Sequence, residues 1–222
     1  MTSVRILHVD DEPVIREVVE LSLGLDPSFT VRSCGSGEDA IALAADWSPD
    51  LILCDVMMPL MDGPATLARL RECSRTANIP VIFMTARAQA RELEHFKSLG
   101  AVGVIAKPFD PMTLAESVRS QFRSARLAAL HNGFTRRLRS DAASLATCRA
   151  SLSGGEAPSA VLGQIKTLAH GLVGAAGIFD FPAVSDAAEA LEKAAVEALA
   201  DGGAVEKVEV ELDALLDCIN RQ

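Results

Sequence analysis

The sequence predicts an α/β domain of the (βα)5 kind, built on a doubly wound parallel sheet, followed by an all-α four-helix bundle. Three observations carry that reading. Short apolar runs alternate with helix-period segments through the first half of the chain, the pattern of a parallel sheet with a helix in each crossover. The second half has no strand pattern and is rich in alanine. The length, 222 residues of which 49% are apolar, suffices for two small cores.

Strands are expected at 5–9, 29–34, 50–54, 80–84 and 102–106, several of them bounded by Pro or Gly. Between them 13–25, 37–45, 64–72 and 89–99 read as helices, and a fifth helix starts near Pro111. Ile52-Leu53-Cys54 and Val81-Ile82-Phe83 are apolar at consecutive positions, which marks central strands covered on both faces. Ligands of such sheets bind beyond the carboxyl ends of the strands. Chemistry is therefore expected there.

In the second half, breaks at 131–133, 153–158, 179–182 and 201–203 set off four helix-period segments. Their stripes are Phe134/Leu138/Leu145/Cys148/Leu152, Leu162/Ile165/Ala169/Leu172/Ala176/Phe179, Val184/Ala188/Leu191/Ala195/Ala198 and Val205/Val208/Leu212/Leu215/Ile219. Spacings of three and four suit an antiparallel bundle with short loops. The boundary is placed near 122, giving domains 1–122 and 123–222, with the fifth helix running on as the linker. Residues 119–149 hold seven arginines against one acid, and 156–217 hold twelve acids against three lysines. Two faces of opposite sign would attract within the bundle.

Composition narrows the function classes. The net charge is −9 and the sequence pI about 4.9, which argues against nucleic-acid binding. No run of about 18 uncharged apolar residues occurs, so no membrane insertion is expected. The first residues turn acidic at Asp10-Asp11 before a signal-peptide core could form, so the expected location is cytoplasmic. Five cysteines without a CxxC pair indicate neither a disulfide framework nor a zinc site.

Asp10-Asp11 follow the first strand, Asp55 the third, Thr85 ends the fourth and Lys107-Pro108 the fifth. Singly, each has a plain explanation: an acidic pair caps a helix, and a terminal Thr or Lys is solvated. Jointly they converge on one edge of the sheet. Several carboxylates in one pocket repel, and stay ionised only beside a cation. Magnesium prefers a few carboxylates with water and phosphate oxygens, which fits Asp10, Asp11 and Asp55. Asp55 can then attack phosphorus while the metal and Lys107 neutralise charge, and Thr85 offers a hydroxyl to a phosphate oxygen.

Val9-Asp10-Asp11-Glu12-Pro13, Asp55-Val56-Met57-Met58-Pro59-Leu60-Met61-Asp62-Gly63, Met84-Thr85-Ala86 and Lys107-Pro108-Phe109 together resemble the receiver domain of two-component response regulators. The resemblance implies Asp55 as phosphoacceptor, with Asp11, Asp55 and the Met57 carbonyl on Mg2+ and Asp10 acting partly through water. It implies Thr85 as the switch hydroxyl, Lys107 as the phosphate clamp and a cis bond before Pro108. It also implies an apolar docking rim of Ile15, Val18 and Pro108, although Ile15 and Val18 equally suit an extension of the core face. Val104 stands where the family usually carries a Tyr or Phe.

His8, His95 and His131 read as structural. His170 falls well away from its helix's apolar stripe and should face solvent, with Gly163, Gly174 and Gly177 on the same side. Each mid-helix glycine costs roughly 1 kcal/mol against alanine, so three together invite a reason. Bare backbone around an imidazole lets another protein's active site come close. Ala169-His170-Gly171-Leu172-Val173-Gly174-Ala175-Ala176-Gly177 resembles the histidine phosphotransfer (Hpt) motif, which implies His170 as a second phosphoacceptor. Val173 stands where that family has a phosphate-facing Lys, and Lys166, one turn earlier, could supply the charge. The plainer reading is an exposed histidine in a loosely packed helix.

Both resemblances imply a phosphorelay protein whose partners are a sensor or hybrid histidine kinase and partner receiver or Hpt proteins. No glycine-rich ATP-binding segment accompanies them. The alternative is a receiver-switched interaction module whose bundle binds partners without phosphotransfer. A phosphatase with an aspartyl nucleophile is disfavoured, because Asp55 is followed by Val56-Met57-Met58-Pro59 with no second acid to act as general acid.

Overall fold

The computed structural model describes residues 3–86, 89–153, 158–201 and 205–221. The chain divides into two compact units, Met1–Leu127 and Ala128–Gln222.

In the first unit, strands β1 (Val4–Val9), β2 (Phe29–Cys34), β3 (Leu51–Asp55), β4 (Val81–Thr85) and β5 (Gly103–Ala106) alternate with helices α1 (Pro13–Gly24), α2 (Gly37–Trp47), α3 (Gly63–Glu72) and α4 (Ala90–Ser98). Helix α5 (Leu114–Ser153) follows. The sheet is parallel throughout, in the order β2-β1-β3-β4-β5. Its direction of winding reverses at β1, whose carboxyl end stands beside that of β3 because Val9 pairs with Cys54. That reversal opens the crevice used for ligands in this architecture.

Alternation along the strands sends Leu7, Val9, Ile52, Cys54 and Phe83 to one face, against Ala40, Ala44, Leu67, Leu70 and Phe96. Ile6, Leu51, Leu53, Ile82 and Met84 take the other face, with Val19, Leu23, Leu114 and Val118. Helices thus cover both faces, as the uninterrupted apolar runs require.

The edges of elements follow local chemistry. Ser36 caps α2 by accepting the Asp39 N–H, and Asp62 caps α3 by accepting the Ala65 N–H at 2.7 Å. Asp50, expected inside the third strand, precedes it because its carboxylate accepts the Arg5 N–H at 2.8 Å. The peptide bond between Lys107 and Pro108 is cis. Gly63 is required by close approach: a Cβ there would lie 2.5 Å from the Asp55 carbonyl oxygen, so α3 could not start over the end of β3.

In the second unit, the C-terminal part of α5 joins α6 (Pro158–Ile178), α7 (Pro182–Asp201) and α8 (Val205–Asn220). Apart from Val205, the four expected stripes form one core, from Phe134, Leu138 and Leu145 to Leu212, Leu215 and Ile219. Phe134 stacks on Phe179 with ring centres 4.6 Å apart. Opposite charges meet where Arg149 bonds Asp213 at 2.9 Å and Glu209 at 3.1 Å, tying α5 to α8.

One expected break is corrected. His131-Asn132-Gly133 is not a loop, because α5 runs through it. One glycine costs a helix only about 1 kcal/mol, and a Cβ at Gly133 would touch nothing. His131 meanwhile stacks on Phe181, and its carbonyl accepts the Thr135 hydroxyl. Packing on both sides of the glycine outweighs the local turn signal.

Candidate functional site

The parallel register brings the carboxyl ends of β1, β3, β4 and β5 to one edge, and with them Asp10, Asp55, Thr85 and Lys107. Asp10, Asp55 and Thr85 are buried, Asp55 with 5% of its surface exposed. Lys107 Nζ lies between the two acids, 2.6 Å from Asp10 Oδ2 and 2.5 Å from Asp55 Oδ1. The other carboxylate oxygens accept backbone N–H groups. Met57 donates to Asp55 Oδ2 at 2.9 Å, and Glu12 donates to Asp10 Oδ1 at 3.0 Å. Arg16 Nη1 donates to the carbonyls of Asp10 and Asp11, fixing the turn after β1.

Burial raises the Asp55 pKa, as does the charge on Asp10, and the bond from Lys107 only partly opposes them. Burial would lower Lys107, but its bonds to Asp10 and Asp55 outweigh that and its pKa is raised. We take the lysine as firmly charged, balancing one of two buried carboxylates. A surplus of negative charge remains.

That surplus bears on magnesium. Among the described residues, no three His, Cys, Asp or Glu side chains stand together as a ready-made metal cage, and the inner oxygens of Asp10 and Asp55 face Lys107. The donor chemistry nonetheless fits. Asp10, Asp11, Asp55 and the Met57 carbonyl present only hard oxygens, and the buried pair carries more charge than one ammonium cancels.

The expected rim is mixed. Pro108 is exposed, Val18 is half-buried, and Ile15 packs partly against the core. Exposed apolar residues here include Val14 on α1, and Met57 and Leu60 after β3. Leu60 has a φ of 64°, a left-handed conformation uncommon outside glycine. Val104 is half-buried on the core, and its carbonyl accepts the Gln121 side-chain amide.

Sequence reasoning read His8 as structural and missed its place beside Asp10. It is fully buried, neither ring nitrogen has a hydrogen-bond partner among the described residues, and Nε2 lies 4.0 Å from Asp10 Oδ2. Burial lowers its pKa to about 4.

In the second unit, the His170 side chain on α6 is 76% exposed and its Nδ1 lies 3.0 Å from Glu192 Oε1 on α7. Lys166, Gly174 and Gly177 are exposed, and Gly163 is half-buried. Among the described residues, a Cβ at Gly163 or Gly174 would meet nothing within 4 Å, and one at Gly177 only the Ser185 hydroxyl at 3.8 Å. Internal packing therefore does not require these glycines. Val173 turns toward the bundle core. Glu192 was also missed, because it pairs across two helices; its one signal is a position directly beside Leu191 of the buried stripe.

The fold agrees with the relationships of the sequence. Residues 6–119 match the family model described as "Response regulator receiver domain", and residues 124–221 match the "Hpt domain". The chain belongs to the response-regulator receiver family and carries an Hpt domain after the receiver.

Among its relatives, the DNA-binding dual master transcriptional regulator RpaA of Synechocystis is 38% identical over 54% of this chain and 49% of its own length. The positive alginate biosynthesis regulatory protein of Pseudomonas aeruginosa is 40% identical over 56% of this chain and 50% of its own. The chain thus spans about half the length of the curated relatives it matches. Among solved structures, the chemotaxis response regulator CheY4 of Vibrio cholerae is 31% identical, with a TM-score of 0.51, covering 54% of this chain and 99% of that one. Among the described residues, no helix is long and apolar enough to cross a membrane.

Proposed function

We propose that the chain relays phosphoryl groups in the cytoplasm, accepting them on Asp55 of a receiver (1–122) and on His170 of a phosphotransfer bundle (123–222). Its partners are a sensor or hybrid histidine kinase and other receiver or Hpt proteins. The observation that carries the reading is one chain that holds both a buried Asp55 bonded by Lys107 and an exposed His170 bonded to Glu192.

At the receiver, an Asp55 carboxylate oxygen attacks the phosphorus of a donor phosphohistidine. An O–P bond forms, the N–P bond breaks, and its electron pair returns to the donor imidazole. Lys107 neutralises charge on the incoming group, and the Thr85 hydroxyl takes one of its oxygens. Mg2+ held by Asp10, Asp11, Asp55 and the Met57 carbonyl supplies further charge neutralisation when bound. At the bundle, Glu192 accepts a hydrogen bond from Nδ1–H, which leaves the lone pair on Nε2 free to attack an aspartyl phosphate. An N–P bond forms, the O–P bond breaks, and the partner's carboxylate leaves. Ile15, Val18 and Pro108 around Asp55, and Gly174 and Gly177 beside His170, serve as docking surfaces.

The test is phosphate mapping of wild-type, Asp55→Ala and His170→Ala proteins against a panel of histidine kinases and phosphorylated receivers. We expect Mg2+-dependent acyl phosphate lost in Asp55→Ala, and phosphohistidine lost in His170→Ala. A bundle that stays unlabelled beside every phosphorylated receiver would make it a binding module instead.

A further inference from the structure

We infer that Arg137, on α5, is the cation that meets the phosphoryl group on His170; this rests on the reading of His170 as a phosphoacceptor. Phosphorylation adds up to two negative charges to an exposed helix middle, which neither end of the helix dipole reaches. The surroundings add to the problem. Glu192 already occupies Nδ1, and residues 156–217 hold twelve acids against three lysines. Val173, one turn beyond the acceptor, brings no charge.

Two basic residues stand near. Lys166 is exposed one turn earlier on α6, with nothing holding its long stem in place among the described residues. Arg137 is anchored. Its Nε bonds Asp141 Oδ2 at 3.3 Å, and its Nη2 lies against Gly171, the residue directly after His170. A Cβ at Gly171 would come 3.2 Å from that nitrogen. A methyl group there would make the guanidinium give by a few tenths of an ångström, so the bare backbone lets it stand against the helix one residue past the acceptor. Asp141 takes only Nε, and the Nη groups donate to no described residue. They keep a planar set of N–H donors suited to phosphate oxygens, at lower cost in lost motion than a free lysine.

The test uses the full chain with phosphoramidate as donor, following alkali-stable phosphohistidine by phosphorus NMR. Nε2 of His170 bonds to phosphorus as the P–N bond of phosphoramidate breaks and ammonia leaves, while alkali removes any acyl phosphate at Asp55. Arg137→Ala and Arg137→Gln should melt like wild type yet label at least fivefold more slowly, with a weaker dependence on salt. Gly171→Ala, which crowds the guanidinium, should fall between, and Lys166→Ala should stay within twofold of wild type. Labelling and salt dependence within twofold of wild type in both Arg137 variants would overturn the assignment, as would a larger loss in Lys166→Ala. A wild type that takes no label, or label that persists in His170→Ala, instead overturns the phosphoacceptor reading itself.

Discussion

Glu192 Oε1 lies 3.0 Å from His170 Nδ1, so a carboxylate from α7 fixes the imidazole presented by α6. The acid is three-quarters covered while the imidazole is mostly exposed, an arrangement that holds one ring nitrogen and leaves the other in solvent. Hydrogen bonding at Nδ1 sets which nitrogen carries the lone pair.

Glu192→Ala should therefore slow phosphoryl transfer to His170 by about tenfold, equivalent to about 1.4 kcal/mol of barrier. Glu192→Gln, which can still accept the bond, should lose less. Nitrogen chemical shifts of the ring check the cause: the proton should redistribute between Nδ1 and Nε2 in the Ala variant.

Burial holds the Asp55 pKa above its ordinary 3.8. A raised carboxyl contributes stability below its unfolded value and loses it as pH rises through the folded value, so at pH 7 the ionised group opposes folding. Asp55→Asn should melt higher than wild type at pH 7, and the gap should narrow as pH falls through the raised folded value toward 3.8. Denaturant melts at pH 7 and pH 4 measure both.

His8 works in the opposite direction. Its pKa falls from 6.5 to about 4 on burial, so the unfolded chain binds the extra proton between those values. Stability present above pH 6.5 should fall as pH drops toward 4, by roughly 3 kcal/mol if the whole shift is expressed. His8→Val should flatten that slope whatever it does to the absolute stability. Urea midpoints of the two proteins across this window decide it.

The parts of the molecule legible in the sequence are those with a short-range signal. Leu51–Asp55 and Val81–Thr85 announce themselves as apolar runs. Asp10, Asp55, Thr85 and Lys107 could be gathered on paper because each closes a strand and parallel register aligns strand ends. Contacts between helices leave no such trace. Glu192 on His170 and Arg137 on Gly171 depend on which faces meet, and the His131-Asn132-Gly133 helix depends on Phe181 arriving from far along the chain. Nor does an apolar residue such as Leu60 betray a positive φ.

Leu60 is fully solvated, at 101% relative exposure, with a φ of 64°. It takes the strain of the left-handed region, about 1 kcal/mol or more, without burying a side chain in return. Leu60→Gly should raise stability by a few tenths to about 1 kcal/mol, the strain relieved less the extra freedom of glycine in the unfolded chain. A melting point at or below that of wild type would show that the turn is held by other contacts.

Gly174 sets stability against function at a single position. It lies inside α6, exposed, with nothing within 4 Å of where a Cβ would stand. Alanine there meets no clash and removes the penalty for mid-helix glycine, so Gly174→Ala should stabilise the bundle by about 1 kcal/mol. If the bare backbone exists so that a receiver can approach His170, the same methyl group should obstruct that approach. Transfer from a phosphorylated receiver should slow several-fold. Labelling by phosphoramidate, a donor small enough to pass the methyl group, should stay near the wild-type rate. The divergence between the two donors is the decisive reading, because a simple rise in stability would move neither. Equal rates with both donors, alongside the higher melting point, would mean that the docked receiver does not touch this turn of the helix.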